Sequence, residues 1–151
     1  MTGTGFIFGW AKPVPVDARY FKKPRHDMAM VALAGPVSNL LMAIGWALIA
    51  RLGSVIGQDN QAIALPLIYT GVAGISINLV LMILNMLPIP PLDGSRVLSG
   101  ILPSYWAWQF NKLERFGFII LLVLLYTKIL NVLLEYPLYV AQKWFFTLAG
   151  L

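Results

Sequence analysis

From Met28 to Leu87 the sequence holds only two charged residues, Arg51 and Asp59, set between long apolar runs. About 20 apolar residues, at about 1.5 Å rise each, cross about 30 Å of hydrocarbon as a helix. Two such helices are expected, at about 28–52 and about 62–87. Only the turn GSVIGQDNQ lies between them, so they run antiparallel as neighbours. A third apolar stretch opens near Phe116 and is uninterrupted to Tyr126, after which Lys128, Asn131 and Glu135 intervene. Its expected span is about 116–134. The alternative is an earlier end followed by an interfacial amphipathic segment at 137–149, carrying Trp144, Phe145 and Phe146.

Hydrophobic residues make up 59% of the 151 and charged residues 11%. Soluble domains run near 45–50% and 25%, so lipid rather than water is the solvent this chain fits. The fold class is therefore an all-α polytopic membrane protein with about three transmembrane helices. It reads as one membrane domain over 1–151, with an interfacial segment at 1–27, a transmembrane core at 28–134 and an interfacial tail at 135–151. Cysteine is absent, which excludes disulfides and any Cys-based zinc site. MTGTGFIFGW lacks the basic start and cleavage site of a signal peptide. Pro13 and Pro15 alternate with Val14 and Val16, which predicts a short extended segment. Trp10, Tyr20 and Phe21 suit a membrane interface.

The net charge is +5, but the cations flank apolar runs, so a bilayer rather than nucleic acid is the expected partner. Lys12, Arg19, Lys22, Lys23 and Arg25 precede the first helix; Arg96, Lys112 and Arg115 lie between the second and third. The positive-inside rule puts both groups on the cytosolic face.

The stretch NMLPIPPLDGSR, residues 85–96, falls near that face. Pro88, Pro90 and Pro91 forbid a regular helix, so the backbone must leave the helical path near membrane depth. Such a break persists only when buried in protein or lining a wet cavity. Asp93 follows it, and a carboxylate there is costly unless paired or bound to a cation. Two readings stay open on this pattern. Asp93 pairs with Arg96 or caps the next helix, or it serves a function, as ionisable groups within membranes do.

LNMLPIPPLDGSRVL resembles the second metal-binding motif of the site-2 protease family, the intramembrane zinc metalloproteases. ALAGPVSNL at 32–40 and GWAKPVPVDAR at 9–19 resemble two further segments, in the order and spacing of a compact prokaryotic branch without a PDZ domain. The resemblance implies a zinc endopeptidase that cleaves transmembrane or membrane-associated proteins. It implies that Asp93 is a zinc ligand, that Asn85 stabilises the oxyanion or positions substrate, and that Asn39 packs near the catalytic core. It further implies that the second helix delivers the aspartate and that residues 13–16 form a cytosolic strand to which extended substrate adds. Two histidines and a carboxylate would hold zinc with one position left for water.

The sequence departs from the family in lacking His-Glu-x-x-His. His26 is the one histidine; Asp27 and Met30 follow where Glu and a second His would stand. His26 reads as an interfacial polar residue, and Asp17, Asp27, Asp59, Glu114 and Glu135 do not repair the site. This sequence by itself is expected to be inactive, with truncation of the reading as one cause and a non-catalytic protein that keeps the fold as the alternative.

Overall fold

A computed structural model describes residues 21–57 and 60–151. The extended segment predicted at 13–16, the aromatics Trp10 and Tyr20, and Asp17 and Asp59 lie outside the described residues. The described residues form helices joined by short turns, with no strand among them. In order they are α1 (Pro24–Ile56), α2 (Gln61–Met86), α3 (Asp93–Ile101), α4 (Ser104–Asn111), a 3₁₀ turn (Lys112–Phe116), α5 (Gly117–Tyr126) and α6 (Ile129–Ala149). The protein is an integral membrane protein. α1 and α2 are each long and apolar enough to cross a membrane, and the bent pair Ser104–Tyr126 and Ile129–Ala149 reaches that length and apolarity only when its two arms are taken together, as a broken span or a re-entrant loop.

α1 starts four residues earlier than its apolar run. Pro24 sits in its first turn, and the Asp27 carboxylate accepts from the Lys23 amide at 3.0 Å, satisfying a donor at the helix start. The helix continues through Pro36, which is buried. The Asn60 side chain caps α2, accepting from the amides of Ala62 and Ile63 at 3.1 and 3.4 Å.

Small residues bring α1 and α2 together. Ala43, Ala47, Ala50 and Gly53 form the buried stripe of α1, and Gly71, Ile75 and Leu79 are buried on α2. In lipid there is little hydrophobic drive to pair helices, so close van der Waals approach must supply it. The backbones approach closely at Gly71, where a Cβ would stand 2.6 Å from the Ala50 Cβ and 2.9 Å from its Cα.

The third apolar stretch differs from the expected span at 116–134. The helix breaks at Thr127–Lys128, and the two arms meet at 78°. Lys128 adopts φ 60°, a left-handed conformation uncommon outside glycine. The Thr127 hydroxyl donates back to Val123 O at 2.8 Å, closing the preceding turn. Residues 135–149, expected as an interfacial tail, are helical. They continue α6, where Leu138, Ala141, Phe145 and Phe146 pack on the α1–α2 core and Ala149 is fully buried. Ser54 on α1 donates to Ala149 O at 3.2 Å, fastening the far end.

At the opposite end, α4 exposes Tyr105, Trp106 and Trp108, and the 3₁₀ turn exposes Phe116. Lys112 lies 3.2 Å from the centroid of the Trp108 ring, and Arg115 lies over Phe116. This mixture of aromatic and cation suits a membrane–water boundary.

The Gly71 contact is tested by substitution. Gly71→Ala pushes a methyl into the Ala50 backbone and is expected to destabilise the protein by about 1–3 kcal/mol in a reversible detergent-unfolding titration. Gly45→Ala, which meets nothing within 4 Å, is expected to be neutral or mildly stabilising in the same titration.

Candidate functional site

The proline segment does end one helix and start another. α2 stops at Met86, residues 87–92 turn, and α3 resumes at Asp93. Within the turn the backbone satisfies some of its own groups: Ile89 N donates to Leu87 O at 2.8 Å and Leu92 N to Ile89 O at 2.9 Å. The Ser95 hydroxyl and amide both donate to Leu92 O, at 2.7 and 3.0 Å. Ser95 is buried, so this carbonyl is closed off by protein.

Two glycines set the position of Asp93. A Cβ at Gly94 would collide with the carbonyl oxygens of Met86 and Leu87, so only glycine lets α3 start tight against the end of α2. A Cβ at Gly35 would stand 3.0 Å from Asp93 Oδ2. The carboxylate therefore lies against the bare backbone of α1 where α1, α2 and α3 meet. It is half-buried, and it sits in the first turn of α3, where the helix dipole favours negative charge.

Neither structural alternative for Asp93 is realised. Arg96 turns instead to Glu114, at 3.3 Å, with both groups half exposed. The N-cap residue of α3 is Leu92, and no side chain caps the helix. Among the described residues Asp93 makes no hydrogen bond and no ion pair.

The two asparagines are placed differently. Asn39 lies one turn after Gly35 on α1, a spacing that puts both on one face, and is half-buried. Asn85 is in the last turn of α2, also half-buried, next to Met86, whose carbonyl faces Gly94. Among the described residues neither side chain hydrogen-bonds to Asp93. His26 is exposed in the first turn of α1, 3.8 Å from Asp27. Nine residues separate it from Gly35, roughly 13 Å along the helix axis, so it does not reach Asp93.

A single carboxylate does not make a zinc site, which needs three protein ligands in a catalytic centre. Among the described residues no three His, Cys, Asp or Glu side chains converge. The residues present do not by themselves fit the metal. Gly35 is the part of the site that sequence reading passes over. It scans as half of a Gly-Pro kink, and the signal available was a glycine costing helix stability without a turn to justify it.

Comparison with known proteins gives a consistent assignment. Residues 49–127, just over half of the chain, match the model described as Peptidase family M50. Three relatives carry the name "Putative zinc metalloprotease". YwhC of Bacillus subtilis is 41% identical over 121 residues, covering 80% of this chain and 55% of the relative. Rip2 of Mycolicibacterium smegmatis is 31% identical over 121 residues, covering 80% and 40%. MJ0611 of Methanocaldococcus jannaschii is 40% identical over 80 residues, covering 51% and 36%. The chain thus spans about half, or less, of the length of these relatives. No solved structure matches.

The geometry separates two glycine substitutions. Gly94→Ala meets backbone carbonyls that cannot yield and is expected to cost about 1–3 kcal/mol in unfolding titrations. Gly35→Ala meets only a carboxylate oxygen and gains helix propensity, so its stability is expected to stay within about 1 kcal/mol of the parent.

Proposed function

Because this chain belongs to peptidase family M50, we propose that it is the aspartate-bearing part of an intramembrane zinc endopeptidase. The observation that carries this reading is the Asp93 carboxylate, half-buried between three helices with no protein partner among the described residues. A carboxylate left so within apolar surroundings is costly unless a cation completes it. In this reading Asp93 is one zinc ligand, and the remaining two are histidines that this sequence does not contain. Bound zinc would supply Lewis acidity and an activated water.

This chain's own residues then have defined work. Gly94 and the proline turn hold the carboxylate at the end of α2. Asn85 offers an amide at that same end for the developing oxyanion or for substrate orientation, and Asn39 is a polar neighbour on the α1 face that bears Gly35. The substrates are transmembrane or membrane-associated proteins. The cations before α1 and between α2 and α5 support a cytosolic location for the Asp93 side.

One observation favours a second reading, a non-catalytic membrane protein that keeps the fold: the sequence has one histidine, and it is remote from Asp93.

Asp93→Asn is expected to abolish proteolysis in an active form of the protein. Outer-shell changes at metal sites cost roughly 10–100-fold, and loss of a ligand costs more. Retained cleavage of a membrane-protein substrate by Asp93→Asn removes the residue from the ligand set. Stoichiometric, tightly held zinc in the 151-residue chain itself, by elemental analysis, contradicts the view that its donor set is incomplete.

A further inference from the structure

We infer that Arg25 is a positioning residue for Asp93, acting through α3; the inference rests on the reading of Asp93 as the functional carboxylate. α3 has only nine residues, too few to be stable alone, so its placement comes from what grips it. Gly94 fixes its start against the end of α2. Arg25, in the first turn of α1, fixes its other end.

The guanidinium of Arg25 donates to Ser99 O at 3.0 Å, to Ser104 Oγ at 2.9 Å, and to Leu102 O. Ser99 and Leu102 bracket the end of α3, where helix geometry leaves carbonyls without intrahelical partners. A cation there also answers the negative end of the helix dipole. Ser104 begins α4, so one side chain joins α1, α3 and α4.

The contact is seated in register by Gly100. A Cβ there would stand 2.6 Å from the Ala29 Cβ and 3.2 Å from Arg25 O. Gly100 near Ala29 and Asp93 near Gly35 mean that α3 runs back antiparallel along the first turns of α1. Any slide or tilt of α3 at the Arg25 end moves the carboxylate at the other. Arg25 lies outside the span matched by the family model.

The competing explanation is that Arg25 is one more surface cation beside Lys22 and Lys23. Geometry argues against it. A planar fork reaches acceptors on two elements at once, whereas an ammonium is a point charge. Removing Lys22 should therefore do nothing that removing Arg25 does.

The chain has no cysteine, so Asp93→Cys provides a single thiol that reports the position of α3 without requiring activity. In the purified chain in nanodiscs, Arg25→Ala is expected to raise the labelling rate of that thiol by N-ethylmaleimide about tenfold, through loss of its charged hydrogen bonds. Arg25→Lys, which keeps the charge, is expected to give a smaller rise, and Lys22→Ala none. Should Arg25→Ala fail to fold by circular dichroism, Arg25→Lys carries the test. Unchanged labelling in the folded Arg25 variants, or an equal rise in Lys22→Ala, overturns the inference. In an active form of the protein, Arg25→Ala is expected to lower kcat about 100-fold with a smaller change in KM. Asp93→Asn in the same assay tests the underlying reading separately: if it cleaves normally, that reading fails whatever the labelling shows.

Discussion

Inside a membrane, a backbone that leaves the helical path has no water to satisfy its amides and carbonyls. The rest of this structure depends on how residues 87–92 meet that constraint. Ser95 closes the Leu92 carbonyl, Gly94 lets α3 lie directly on the last carbonyls of α2, and α3 folds back along α1. Pro90 and Leu92 within the break are thereby buried, while Pro88 and Pro91 stay exposed. α1 and α2 can provide the walls because their own interface is built from alanine and glycine, which holds the two axes close.

The same packing explains where the carboxylate stands. A helix restarting at Asp93 puts that residue at a positive helix end, and the missing side chain of Gly35 leaves it room against α1. Arg96, the obvious partner by sequence proximity, is drawn to Glu114 on the 3₁₀ turn instead. Among the described residues Asp93 is thus half-buried and without a partner, and a membrane carboxylate so placed is costly unless it is paired or meets a cation. The proposed function names that cation as zinc, on the family match and the names of the relatives.

Much of this was legible in the sequence, for definite reasons. Two apolar runs of membrane length and a short polar turn leave little choice but an antiparallel helix pair. Three prolines within four residues force the break that the structure contains. What periodicity could not show was local geometry set by distant residues. The sequence marks Lys128 as an interruption and leaves an earlier helix end open, but the sharpness of the bend there comes from a left-handed backbone that a lysine does not signal. The helix 129–149 reads as interrupted by Asn131 and Glu135, yet its other face packs on α1 and α2. The roles of Gly35 and Arg25 depend on α3 returning along α1, a tertiary contact between segments far apart in sequence. The segment at 13–16 and its strand-like pattern fall outside the described residues, so that part of the reading stands on sequence alone.

The central claim is that Asp93 coordinates the metal of an intramembrane protease. Zinc-edge anomalous diffraction from crystals of an active form of the protein addresses it directly. The account predicts a peak about 2.0–2.2 Å from an Asp93 carboxylate oxygen, the usual zinc–carboxylate distance. A strong zinc peak held by other residues, with Asp93 well outside coordination distance, would contradict it.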